Sequence, residues 1–151
     1  MNVICGHELD IDSWMELVHK VRWNFPGLET QSAMDSHRST VLRFMKEDRA
    51  LCVKDGGRVV GVLLLSRKHN MICCLAVAED HRRSGIGSVL LERALQELDR
   101  TKAVSVTTFR EGDDKGEAPR ALYKRFGFKE GALGEEFGYP VQEFILEETH
   151  G

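Results

Sequence analysis

The sequence predicts an α+β sandwich, with one central mixed, mostly antiparallel sheet flanked by helices. Three observations carry this. Three apolar, β-rich runs lie between Arg49 and Val77, separated only by short polar turns. After Gly85 the hydrophobic period changes from strand-like to helical. A β-branched run from Val104 to Phe109 follows that helix, and a strand–helix–strand unit of this kind makes a right-handed parallel crossover.

Each element has a local reason. Asp12 and Ser13 offer an N-cap, and Trp14, Leu17, Val18 and Val21 follow at helical spacing. That helix ends before Phe25-Pro26-Gly27, because proline disfavours helix at the residue before it. A second helix is expected over about Ser36 to Lys46, with Val41, Leu42 and Met45 on its apolar face. Arg49 to Lys54 reads as a strand, and Asp55-Gly56-Gly57 as a hairpin turn, since glycine takes positive φ without steric cost. Val59 to Leu65 returns, apolar nearly throughout and therefore central. Ser66 to Asn70 turns the chain into Met71 to Val77, expected to be a third strand buried on both faces of an antiparallel meander.

Ile86, Leu90, Leu91, Ala94, Leu95 and Leu98 mark an amphipathic helix. Val104 to Phe109 is a strand by its β-branched content. Gly112 to Gly116 is a charged, glycine-bounded loop. A short helix begins at about Pro119, with proline tolerated in its first turn, and ends at Gly127 as a left-handed C-cap. Tyr139 to Leu146 closes the chain as a strand.

Composition narrows the function classes. With 151 residues, one domain over 1–151 is expected, and such a chain buries enough surface to need neither disulfide nor metal. Hydrophobic residues at 42% exclude a disordered tail. A net charge of −3 and a pI near 6.1, with no basic stripe, argue against a nucleic-acid partner. The apolar runs fall short of the ~20 residues a membrane helix needs, and the N-terminal region has no signal-like pattern. Cys52, Cys73 and Cys74 sit in apolar runs and read as buried, reduced thiols; with Cys5 they form no CxxC pair, so no metal is expected and the expected compartment is cytoplasmic.

The stretch that carries chemistry is Arg82-Arg83-Ser84-Gly85-Ile86-Gly87-Ser88, between a buried strand and an amphipathic helix. Its glycines allow close backbone approach to a ligand, and the first N–H groups of the helix lack intrahelical partners. That is an anion site suited to a pyrophosphate, with Arg82 and Arg83 adding positive charge. A dinucleotide fingerprint fails because Leu90 stands at the third glycine, and a P-loop fails because Gly87 is followed by Ser88 and Val89. The bland alternative is an ordinary helix start capped by Ser84.

Arg82, Gly85 and Gly87 fit Gln/Arg-x-x-Gly-x-Gly/Ala, and here the sequence resembles the GNAT superfamily of acyl-CoA-dependent N-acyltransferases. Leu75-Ala76-Val77 looks like the family's signature strand, and Leu122-Tyr123-Lys124-Arg125-Phe126-Gly127-Phe128 like its Leu-Tyr-x-x-x-Gly-Phe segment. The resemblance spans about Cys52 to Phe128. It implies a parallel strand pair splayed at the cofactor site, with freed backbone groups of Leu75, Ala76 and Val77 on the pantetheine arm. It further implies that Arg82, Arg83, Ser84, Gly85, Ile86, Gly87 and Ser88 hold the phosphates, and that Tyr123 is the catalytic acid at the thioester sulfur. Two departures stand out. Gly116 and Pro119 replace residues that are often Asn and Ala, and the strand from Met71 to Cys74 lacks the carboxylate some members use as base.

The implied function is N-acetyl transfer from acetyl-CoA to a primary amine by direct attack in a ternary complex. The acceptor would be a small molecule or a peptide, and a homodimer would be in keeping with the many relatives that pair. A non-catalytic acyl-CoA sensor is the alternative from another class. Trp23 and Phe25 are candidates for lining the acceptor pocket, against a plain role in plugging the edge of the core. His69 and His81 flank the third strand, and for both a solvated turn is the simpler reading than a base. Glu135 and Glu136 read as surface carboxylates of the last loop.

Overall fold

The structure is a computed structural model that describes residues 2–149. Its strands are β1 (Val3–Cys5), β2 (Ala50–Asp55), β3 (Arg58–Ser66), β4 (Met71–Val77), β5 (Val104–Phe109), β6 (Lys129–Glu136) and β7 (Tyr139–Leu146). Its helices are α1 (Ile11–Val21), α2 (Gln31–Lys46), α3 (Ile86–Glu97) and α4 (Glu117–Arg125). The strands form one mixed sheet in the order β1-β2-β3-β4-β5-β7-β6. Every neighbouring pair is antiparallel except β4 and β5.

Strand alternation divides the core in two. Ala50, Cys52, Val62 and Leu64 point to the face covered by α1 and α2. Leu51, Val53, Leu63 and Leu65 point to the face covered by α3, with Tyr123 of α4. Both faces of β2 and β3 are therefore apolar, and Val59 through Ser66 are buried throughout. Gly56 and Gly57 turn the hairpin with φ of +59° and +81°, the left-handed pair that a tight two-residue turn demands.

Several boundaries differ from expectation. A 3-10 turn over Glu8–Asp10 leads into α1, which starts at Ile11. The Ser13 hydroxyl does not cap it; instead it accepts the Val59 N–H at 2.9 Å and ties α1 to β3. α2 starts at Gln31, ahead of Ser36, because the Thr30 hydroxyl caps it by accepting the Ala33 N–H at 3.0 Å. β1 and β6 were not expected. β1 is a three-residue edge, and β6 is exposed almost end to end, so neither has the apolar run that marks a strand.

β4 is the larger correction. Only Ile72 and Ala76 are buried, while Cys73 is exposed and Cys74, Leu75 and Val77 are half-buried. Pairing with β5 is confined to Met71↔Ser105 and Ile72↔Val106. Beyond these the two strands splay, and the expected burial on both faces ends with them. Opposite β3, Leu64 meets Cys74 and Leu65 meets Ile72, so Cys73 is the extra residue of a β-bulge.

Candidate functional site

The splay opens a V between β4 and β5. β3 stays paired with β4 as far as Gly61↔Val77, so the β5-facing edge of Leu75, Ala76 and Val77 carries backbone groups with no strand opposite. Leu75 and Val77 pack toward the α3 core, and Ala76 toward the α1–α2 core. An extended ligand arm could complete this edge with backbone hydrogen bonds.

At the open end of the V, a 3-10 turn over Glu79–His81 leads into the glycine loop. Arg83 has φ +68° and Gly85 has φ +85°. Gly85, not Ser84, is the N-cap of α3, and no side chain caps the helix. The Ser84 hydroxyl instead donates to the His81 carbonyl. The first-turn N–H groups of Ile86, Gly87 and Ser88 are thus left for a ligand at the positive end of the helix dipole. Arg82 and Arg83 are exposed, and among the described residues neither makes an ion pair. Ile86 adds only its backbone. Its side chain is buried, where a Cβ on Gly61 would stand 2.4 Å from Ile86 Cγ2. At Gly87 a Cβ would come within 3.2 Å of Leu122 Cδ2, so α3 and α4 approach closely beside the loop.

Tyr123 lies on α4, buried in the α3-side core. The helix ends in a Schellman motif: Gly127 at φ +92°, with Phe128 N–H donating to the Tyr123 carbonyl and Gly127 N–H to that of Lys124, both at 3.0 Å. The Tyr123 ring packs 5.6 Å from Phe128 and 6.0 Å from Phe144. Burial first, and then the nearby Cys74 thiol of β4, push its hydroxyl well above the ordinary phenol range. The shift favours the protonated, hydrogen-bond-donating form of the hydroxyl. No hydrogen bond engages that hydroxyl among the described residues.

Beside Tyr123, Arg120 is buried. It donates to the Phe109 carbonyl at 3.0 Å and to Gln142 Oε1 and Glu130 Oε1 at 2.8 Å, joining α4 to β5, β6 and β7. The same packing explains the departure at Gly116. A Cβ there would lie 2.9 Å from Phe109 Cβ and 3.3 Å from Arg120 Cδ, so no asparagine fits.

The α1–α2 connection lies on the α1–α2 face of the sheet, where Leu28 shares a core with Ala76. Phe25 packs against the core, as a plug would. Trp23 does not: it is 56% exposed, with the Arg22 guanidinium 4.5 Å over its ring. Phe137, at the β6–β7 turn, lays its ring over Gly27 of this connection and is otherwise exposed. Sequence reasoning missed it, and a lone exposed aromatic before glycine gave no signal. Glu135 and Glu136 belong to β6 and are exposed, and His69 is exposed at the far end of β4.

Cys52, Cys73 and Cys74 are poor nucleophiles. Burial raises Cys52 to about 11 and Cys74 to about 12, and Cys73 is also pushed up. No cluster able to hold a metal occurs among the described residues. Among the described residues no helix is long and apolar enough to cross a membrane. A cavity of about 420 Å³ lies on the α1 face beside the end of β4, lined in part by Glu16, Lys20, Arg58, Glu79 and Asp80. It adjoins the V without occupying it.

Residues 46–130 match the family model described as an acetyltransferase (GNAT) domain. No curated protein matches the chain by sequence. Among solved structures, a GNAT acetyltransferase of Bacillus cereus shares the fold with TM-score 0.74 and 21% identity, over 99% of this chain and 98% of that one. A ribosomal-protein-alanine N-acetyltransferase of Brucella melitensis is similar at TM-score 0.72 and 17% identity, over 97% and 99%. The PaiA N-acetyltransferase of Thermoplasma acidophilum, solved with coenzyme A, is similar at 0.70 and 13%, over 94% and 96%. The match runs through the bulged strand, the glycine loop and the tyrosine helix, and this chain belongs to the GNAT acetyltransferase family.

Proposed function

We propose that the protein transfers an acetyl group from acetyl-CoA to a primary amine, by direct attack in a ternary complex. The observation that carries this is the uncapped start of α3 lying next to the unpaired edge of β4. One supplies donors for phosphates, the other donors and acceptors for an amide-bearing arm. The coenzyme's phosphates and amides fit both. Bound there, it supplies an activated acyl carbon.

The residues then divide the work. Ile86, Gly87 and Ser88 N–H groups, with Arg82 and Arg83, neutralise the phosphates. Gly85 gives the loop its left-handed turn. The edge of Leu75, Ala76 and Val77 holds the arm, and an N–H from it stabilises negative charge on the carbonyl oxygen. Holding acyl carbon and amine together replaces a bimolecular encounter. The amine nitrogen bonds to the acyl carbon as the carbon–sulfur bond breaks, and the amine proton passes to water. Tyr123 hydrogen-bonds to the departing sulfur and supplies its proton. Trp23 and Phe25 border the acceptor side.

Calorimetric titration with acetyl-CoA, beside desulfo-CoA and NADH, tests the reading. Micromolar acetyl-CoA binding that is lost in Gly85→Asp, which puts a carboxylate at the helix start, supports it. No binding at millimolar ligand overturns it. Binding without coenzyme A release in any amine screen would favour a sensor.

A further inference from the structure

We infer that His81, clamped between Asp55 and Asp80, is a positioning residue for the phosphate loop, and that its protonation tightens the loop's hold on an anionic ligand. Its Nε2 lies 2.8 Å from Asp55 Oδ2 and its Nδ1 lies 2.8 Å from Asp80 Oδ1. A neutral imidazole carries one N–H. With a carboxylate at each nitrogen, both bonds form only when the ring is the imidazolium.

The clamp reaches across the fold. Asp55 ends β2 at the Gly56-Gly57 hairpin, while Asp80 and His81 form the turn directly before Arg82. The His81 carbonyl accepts the Ser84 hydroxyl, so side chain and backbone of one residue fix the loop at two points. The His81 side chain is 19% exposed.

The surrounding charges give the effect its direction. Arg58 of β3 pairs with the second oxygen of Asp80 at 3.5 Å. Glu79 begins the turn and Arg82 follows it, and from α1 the Glu16–Lys20 pair, 3.5 Å apart, lines the adjoining cavity. Loss of the His81 proton removes one clamp bond. It also leaves the Asp55 and Asp80 carboxylates less neutralised beside a site for phosphate. Both changes oppose anion binding. Hydrogen bonds to Asp55 and then Asp80 hold the ring's pKa above its ordinary 6.5. The tight state is therefore full at low pH and fades as pH rises through that elevated value. By linkage, a bound anion raises the ring's proton affinity in turn.

The inference rests on the coenzyme reading, and the probe is dephospho-CoA, which keeps the pyrophosphate but lacks the titrating 3′-phosphate. Between about pH 5.5 and 8.5, its Kd for the wild type should rise about two- to fivefold, the size of an exposed ion-pair effect. His81→Gln should flatten that dependence. In NMR titrations the His81 ring midpoint should rise on ligand addition, and should fall in Asp55→Asn, which alters only the exposed hairpin tip. Asp55→Asn keeps the test open should His81→Gln not fold. A wild-type Kd constant with pH, an unchanged slope in His81→Gln, or an unmoved midpoint in Asp55→Asn overturns the inference and leaves the coenzyme reading standing. No binding at any pH overturns both.

Discussion

Phe137 lies against Gly27 so closely that a Cβ at position 27 would stand 2.7 Å from the ring's Cγ. This contact joins the β6–β7 turn to the α1–α2 connection. Gly27→Ala should therefore destabilise twice over, through its φ of +82° and through the ring. We expect a loss of about 2–4 kcal/mol in chemical denaturation. In a Phe137→Ala background the same substitution should cost only about 1 kcal/mol, the backbone share. Equal costs in both backgrounds would show that the ring contact is without consequence.

Gly61→Ala probes the loop from the opposite face of the sheet. The added methyl meets Ile86 at the first turn of α3 and pushes it outward. Overpacking of this kind costs about 1–3 kcal/mol. Acetyl-CoA affinity should fall with it, although residue 61 touches no ligand, and Ile86→Ala in the same chain should restore part of both. A destabilised protein with unaltered affinity would separate the loop from its packing.

Tyr123→Phe removes a donor and leaves the ring packing on Phe128 and Phe144 intact. We expect kcat to fall about 100-fold or more, in the range of lost acid catalysis, with acetyl-CoA affinity unchanged. Because the phenol is held above its ordinary range, wild-type kcat should show no alkaline fall from tyrosine ionisation near pH 10. An unaltered kcat in the variant would remove Tyr123 from the chemistry.

His37 predicts a pH effect opposite in sign to that of His81. It lies on α2 with its Nε2 buried and without a hydrogen-bond partner among the described residues, and burial lowers its pKa from 6.5. The unfolded chain then binds the proton more readily than the folded one. Stability should be full above about pH 7 and decline as pH falls through the unfolded value toward the folded one. Thermal melts between about pH 7 and 5 should show this decline, and His37→Gln should make it shallower.

The meander, the α3 crossover and the C-cap at Gly127 were legible because each rests on a local signal: apolar runs, a change of period, glycine at positive φ. The glycine loop was legible for the same reason, since donors, charge and chain freedom all lie within seven residues. What stayed hidden depends on partners distant in sequence. β6 is a strand only because β7 pairs with it, and its exposed residues show no period. His81 read as a solvated turn, because nothing local shows that Asp55, 26 positions earlier, meets its ring. Cys73 read as buried because an apolar run does not reveal a bulge or where a neighbouring strand departs. Arg120 passed unnoticed because one of three cations in a short polar helix looks solvated until its three acceptors are in place.

The two-rung junction between β4 and β5 also divides the sheet mechanically. β1 to β4 form one leaf and β5, β7 and β6 another, joined in the sheet only at Met71↔Ser105 and Ile72↔Val106. With so few backbone rungs there, side chains carry most of the connection between the leaves. Val104 and Phe144 of the second leaf share a core with Leu63 and Leu65 of the first, and Phe137 lies over Gly27.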